Sequence, residues 1–382
     1  MLLERLIKFF TSLRLTVVLL VLSLVLVFAG TLGEVHLGLY KAQTEFFRSF
    51  FIYWQPPGAH WKIPVFPGGY LLGMTLLLNL IAAHTSRFKL TRQKIGLWII
   101  HAGLILLILG QLATDMFAVE SQMHLRQGQM KNYSQSERVE ELAVTDITDK
   151  KLETVVAIPE GRLAEKGDIR NAQLPFIVRV KEFYANSLLS TNAAPGFARV
   201  KADNGFGDDL WWKPVPRETA MDRRDTPSAL VEIVTPDGPL GTWLVSDWLE
   251  QPQTFTTGGR TYQLQLRPER FYLPFSLRLL KFHHDVYQGT DIPKNFYSQL
   301  LLNRPDTGER RQVLIYMNNP LRYDGRTFYQ ASFDTDNKGT ILQVVRNPGW
   351  LTPYLACILI ATGMVVQFLS HLIPFLRRRR TS

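Results

Sequence analysis

The sequence predicts a membrane α-helical protein with four transmembrane helices and a large extracytoplasmic, mainly-β domain of sandwich- or barrel-like build. Two observations carry this. Four apolar runs lie near the ends of the 382-residue chain, which is 46% hydrophobic, and a helix through each crosses or nearly crosses a hydrocarbon core of about 30 Å. Between the third and fourth runs lies a long polar stretch without a sustained helical period. In it, short β-branched and aromatic runs are broken by Gly, Pro, Asn and Asp, the pattern of an antiparallel sheet.

In chain order, residues 1–14 form an amphipathic lead in which Leu2, Leu3, Leu6 and Ile7 oppose Arg5 and Lys8, suited to a cytoplasmic membrane surface. Residues 15–32 are the first span. A cleaved signal peptide is the poorer account, because the run is long and further spans follow. Residues 33–69 are an external loop carrying Phe46, Phe47, Phe50, Phe51, Tyr53, Trp54 and Trp61. Such a set at a span boundary reads as an interfacial segment in the headgroup layer. The second span, 70–86, is short unless it extends back through 63–69, where Pro64 and Pro67 make the entry irregular. Residues 87–94 are a basic cytoplasmic turn and 95–114 the third span.

Residues 115–349 make the β-rich domain, with strand candidates at 155–158, 176–183, 229–234, 261–266, 276–282, 312–316, 327–333 and 340–345. The Pro/Gly/Asp-rich piece 186–225, with Trp211-Trp212, reads as a long excursion over the surface. Tyr323-Asp324-Gly325-Arg326 reads as a turn with positive φ at the glycine. Residues 350–373 are the fourth span and 374–382 a cytoplasmic basic tail.

Basic residues in the short segments set the orientation. Arg5, Lys8 and Arg14 precede the first span, Arg87, Lys89, Arg92 and Lys94 fill the turn, and Arg377, Arg378, Arg379 and Arg380 follow the last span. With four spans all three sets fall on one side, so both termini are cytoplasmic and the β domain is extracytoplasmic. The formal charge of +10 owes much to these anchors, so the partner it implies is the bilayer and not nucleic acid. The single cysteine, Cys357, lies in the last span. It leaves no disulfide within the chain and no C-x-x-C for thiol exchange. No phosphate loop, zinc-protease helix or nucleophile elbow occurs, and no carboxylates pair as acid and base. No catalytic residue is assigned.

What remains is histidine. His101 is an imidazole set inside the third span, where an ionisable group costs a few kcal/mol and usually faces a protein interior. It is either hydrogen-bonded to a neighbouring helix or a metal ligand. His84 lies at similar depth on the second span and could face it, but its position beside the basic turn reads as an interfacial residue. Arg87, Lys89, Arg92 and Lys94 could receive anionic groups such as haem propionates. His371 falls in the same layer at the end of the last span. His36, His60 and His124 are isolated. His283 and His284, if on a strand, point to opposite faces, one buried and one exposed, and cannot chelate one metal together.

Residues 319–333, Asn-Pro-Leu-Arg-Tyr-Asp-Gly-Arg-Thr-Phe-Tyr-Gln-Ala-Ser-Phe, with 282–297 upstream and Asn347-Pro348-Gly349 before the last span, resemble the ResB family of cytochrome c biogenesis proteins. The family's plan of three spans, an outer β domain and a last span runs the length of this chain; the piece 186–225 matches nothing placed. The resemblance implies a membrane subunit, in the bacterial cytoplasmic (inner) membrane, that works with a ResC-like partner. The pair would transport haem b and support its attachment to apocytochrome c, with the subunit not catalytic alone. It also implies that His101 is an axial ligand to haem iron, since fused relatives place one on the third span. The partner's tryptophan-rich motif is absent here, and Trp211-Trp212 is not it. Two other readings stay open: a bis-histidine b-type electron carrier using His84 and His101, and a sensor or adaptor with an external binding domain.

Overall fold

The computed structural model describes residues 2–380 except 57, 60, 88–90, 150–151, 221–222 and 290–292. The chain divides into two compact units. One holds Met1–Val119, Thr219–Met221 and Arg346–Ser382, and the other Glu120–Glu218 and Asp222–Val345. The helices in chain order are α1 (Leu2–Phe10), α2 (Leu13–Leu37), α3 (Leu39–Ala42), α4 (Gly69–Arg87), α5 (Ile95–Phe117), α6 (Glu160–Ala164) and α7 (Thr352–Arg380). Four of them, α2, α4, α5 and α7, are long and apolar enough to cross a membrane. The last runs through Pro374 into the arginine run, so the tail expected from 374 onward continues the helix.

In the helical unit α2 packs on α4 through Leu19, Leu26 and Leu72. Asn79 of α4 is buried. It donates to the carbonyl of Phe10 at 2.6 Å and accepts from the Thr16 hydroxyl at 2.6 Å, pinning the α1–α2 corner. Helices α5 and α7 meet along glycine. Gly96, Gly103 and Gly110 are buried one heptad apart. A Cβ on Gly103 would lie 2.7 Å from Ile360 and 3.0 Å from the Ala356 carbonyl, so the glycine face lets the two backbones approach closely. Between α3 and α4 stands a π-helical turn, Gln43–Phe47, and then an antiparallel hairpin pairing Phe51–Trp54 with Ile63–Pro67. Residues 63–67 are thus a strand, and the second span does not extend back through them. The hairpin exposes Phe51, Tyr53, Trp54, Ile63 and Val65.

The β unit is built on two long antiparallel strands, Met130–Asp146 and Arg260–Val286. Along the main sheet the order is Glu309–Tyr316, Pro293–Arg304, Arg260–Val286, Met130–Asp146, Val119–Arg126, Gly339–Arg346, Arg326–Phe333 and Leu321–Tyr323. Tyr316 bridges to Asn319 in the tight turn that leads from Glu309–Tyr316 into Leu321–Tyr323, so the first and last strands of this order adjoin in the chain and the sheet forms a nearly closed barrel. The segments 261–266 and 276–282 are ends of one 27-residue strand. Its pairing register shifts next to Pro268 and again between Tyr272 and Leu277, so the prolines bend it without ending it. Each end feeds its own core. One core gathers Leu273, Phe275, Leu277, Leu300, Ile315 and Phe328. The other packs Leu264 and Leu266 against Val178, Val231 and Val245 of a four-stranded sheet.

Residues 186–225 do more than cross the surface. They contribute strands Ser187–Ser190, Ala198–Arg199 and Trp211–Pro214 as a three-stranded sheet. Trp212, 3% exposed, packs with Val200, Ala202, Leu230 and Leu244 in a third core.

Candidate functional site

Helices α4 and α5 form the hairpin that positions the histidines. His84 lies three residues before the end of α4, and His101 six residues after the start of α5. Their ring centroids are 5.5 Å apart. Trp98, one turn before His101 and on the same face of α5, packs its ring edge-on to His84 at 3.7 Å. His84 is only 8% exposed. Its expected role as an interfacial residue is therefore corrected: the α4 face carrying it turns inward, and the indole covers it.

The tautomer of His101 follows from its partner. Nδ1 lies 2.8 Å from the carbonyl oxygen of Leu97. A carbonyl only accepts, so Nδ1 carries the proton and Nε2 carries the lone pair. A ring oriented by its second nitrogen in this way is the usual arrangement of a metal-binding imidazole. Leu97 is tied to α7 as well: its N–H, one of the first four of α5, donates to Gln367 Oε1 at 3.2 Å. Gln367 Nε2 in turn donates to His371 Nε2 at 2.7 Å. His371 thus reaches the site through Gln367, as part of its framework.

Of the basic turn, Lys94 is exposed at the N-cap of α5. Lys89 lies outside the described residues, as do the side chains of Arg87 and Arg92. Among the described residues no three His, Cys, Asp or Glu side chains are grouped to cage a metal ion.

The remaining histidines belong elsewhere. His36 is exposed on α2, and His60 lies outside the described residues. His124 Nε2 meets Asp334 at 2.9 Å. The expected division of His283 and His284 into one buried and one exposed ring does not hold, because both are half-buried. They do point apart: His283 Nε2 meets Asp285 at 3.0 Å, and His284 packs on Phe333 at 4.2 Å.

In the β unit one buried acidic group stands out. Glu140 is 2% exposed, and its Oε2 has no hydrogen-bond partner among the described residues. Burial, followed by the neighbouring Asp247, pushes its carboxyl up to about 8. The nearby Glu141 is paired with Arg267 at 3.0 Å, both buried.

The stretch 319–333 is structural. It folds as the hairpin of Leu321–Tyr323 with Arg326–Phe333, and its turn has Asp324 at φ 51° and Gly325 at φ 69°. Phe328 is fully buried, and Tyr323 packs edge-on to Phe275 at 4.9 Å. Asp324 receives Arg326 at 3.0 Å and Arg304 at 3.3 Å.

Comparison with known proteins finds similarity in part of the β unit. The ResB-like family profile matches residues 246–341. Protein NrfI of Wolinella succinogenes is 34% identical over 120 residues, a match spanning 31% of this chain and 13% of NrfI. The family match falls on the barrel and its closing hairpin, not on the helices that hold His84 and His101.

Proposed function

Because its residues 246–341 are ResB-like, we propose that this chain is a membrane subunit of a cytochrome c biogenesis assembly. In this reading it moves haem b across the bacterial cytoplasmic membrane with a ResC-like partner and supports its attachment to apocytochrome c. The observation that carries the reading is the orientation of His101, its Nδ1–H held by Leu97 O and its ring set beside a second imidazole and an indole. Haem iron draws four ligands from its macrocycle and needs only one or two from protein, commonly neutral imidazole. The cluster suits that demand. His101 Nε2 would take the iron of the cargo, the Trp98 ring would offer an apolar wall, and Lys94 with its basic neighbours would meet the propionates.

The 5.5 Å separation favours one alternative, a bis-histidine haem held between His84 and His101. In that arrangement each imidazole would offer one nitrogen to the iron. Against it, Trp98 already covers His84.

The test is His101→Ala in cells that also express a ResC-like partner. The variant should remain in the membrane, lose most co-purified haem and lower c-type cytochrome yield, with added imidazole restoring part of both. Full haem and full maturation would show that His101 is a packed histidine only. Haem that is redox-active and retained without the partner would support the carrier reading. Reporter fusions after Arg380 should read cytoplasmic, and fusions in the 186–225 region extracytoplasmic.

A further inference from the structure

At the end of the α4–α5 hairpin away from the histidines, the two helices, with α3 and the π-helical turn, line a cavity of about 840 Å³. That is within the range of small-molecule sites, which run from about 300 to 1,000 Å³. Met74 and Leu77 of α4 and Leu107 and Ile108 of α5 line its apolar body. At its polar end Asp115 accepts from the Tyr70 hydroxyl and pairs with Arg48 at 2.8 Å. The carboxylate and the guanidinium thus cancel, and the site has no net charge to attract an anion or a cation.

Two carboxamides remain. Gln43 and Gln111 line the same cavity, and neither side chain makes a hydrogen bond among the described residues. Gln43 is half-buried and Gln111 exposed on the protein surface, and where such a surface faces hydrocarbon a polar group costs free energy unless it finds a partner. An amide donates to a carbonyl oxygen and accepts from a hydroxyl with equal ease. The wall beside them is smooth. Gly73 lines the cavity, and a Cβ built there meets nothing within 4 Å, so a flat ring can lie against the α4 backbone.

We propose that this cavity seats an isoprenoid quinone, its uncharged ring oxygens at Gln43 and Gln111 and its tail along the apolar faces of α4 and α5. The neutral cluster disfavours a phospholipid phosphate. The open space over Gly73 gives a flat ring room that a simple acyl chain does not need.

The experiment uses the full-length protein in phosphatidylcholine nanodiscs, titrated with decylubiquinone and read by calorimetry. Wild type should bind saturably with one site per chain. Gly73→Leu, whose Cβ meets nothing within 4 Å, and Gln111→Leu should each weaken binding about tenfold or more, the scale of losing one or two well-placed contacts. Dioleoylglycerol and phosphatidylglycerol should not compete. Melting curves confirm that each variant is folded, and if Gly73→Leu is not, Gln111→Leu decides. Non-saturating uptake that is equal in wild type and Gln111→Leu overturns the proposal. So does displacement by dioleoylglycerol, which would mark the cavity as a general lipid site.

Discussion

The Nδ1–H of His101 donates to the carbonyl oxygen of Leu97 one helical turn earlier, at 2.8 Å, while the N–H of the same Leu97 is held by Gln367 from α7. One residue therefore fixes both the proton of the imidazole and the seating of the helix that carries it.

Gln367→Leu removes the acceptor for the Leu97 N–H and the donor to His371. In apolar surroundings the orphaned amide should cost about 1–2 kcal/mol. The expected outcome is a lower melting temperature in detergent together with weaker haem retention. Gln367→Glu, which keeps the acceptor, should recover much of the loss. A Leu variant as stable and as haem-loaded as wild type would separate the α7 contact from the site.

Gly103→Val sets a branched side chain where a Cβ alone would lie 2.7 Å from Ile360. Overpacking of this kind costs about 1–3 kcal/mol, and α5 should part from α7. Cysteine pairs placed across α5 and α7 should crosslink in wild type and fail in the variant. Undiminished crosslinking would mean that the helices slide to accommodate the valine.

Glu140 yields a pH prediction. Its carboxyl is raised from 4.5 to about 8 by burial, so between those values the folded protein binds a proton that the unfolded chain has released. The contribution of this group is most favourable below the lower value and falls as pH rises through the window, by on the order of 3–5 kcal/mol in full. Glu140→Gln should flatten that slope, melting near wild type at pH 5 and above it at pH 8.5. Identical pH profiles for the two proteins would mean that the carboxyl is already ionised in the fold.

At the barrel hairpin, Asp324 and Gly325 both take positive φ, 51° and 69°, as a two-residue turn of mirror-image type requires. No atom lies within 4 Å of a Cβ built on Gly325, so Gly325→Val acts through the backbone alone, at about 1–2 kcal/mol or more. Lower abundance and melting temperature are expected, with haem per folded protein unchanged. Normal abundance with lost haem would instead give this loop a direct role.

Much of the architecture was legible because its signals are local. Hydropathy marks α2, α4, α5 and α7, and alternation marks strands such as Arg326–Phe333 and Gly339–Arg346. Where the reading failed, distant residues decided. The segments 261–266 and 276–282 read as two strands, yet one strand runs through Pro268 and Pro274, because it shifts register against its long partner at each proline and then resumes pairing. The excursion at 186–225 looked too polar for a core; Trp212 finds its apolar neighbours in Leu230 and Leu244, which lie outside it. His84 sits beside charged residues in sequence, and only the opposing helix brings Trp98 over it. A signal for that was present, since Trp98 and His101 share one face of α5. Gln367 had none, because its role depends on α7 packing on the first turn of α5.

The glycine face of α5 waits for a partner that lies at the far end of the chain. During synthesis the whole β unit is made between them, a delay on the order of tens of seconds at ribosomal speed. Throughout it, Gly96, Gly103 and Gly110 have no α7 to meet, and the Leu97 amide has no Gln367. The histidine site is therefore among the last parts of the molecule to mature. A chain stalled or truncated before α7 would carry every imidazole of the α4–α5 hairpin and still lack the framework that orients His101.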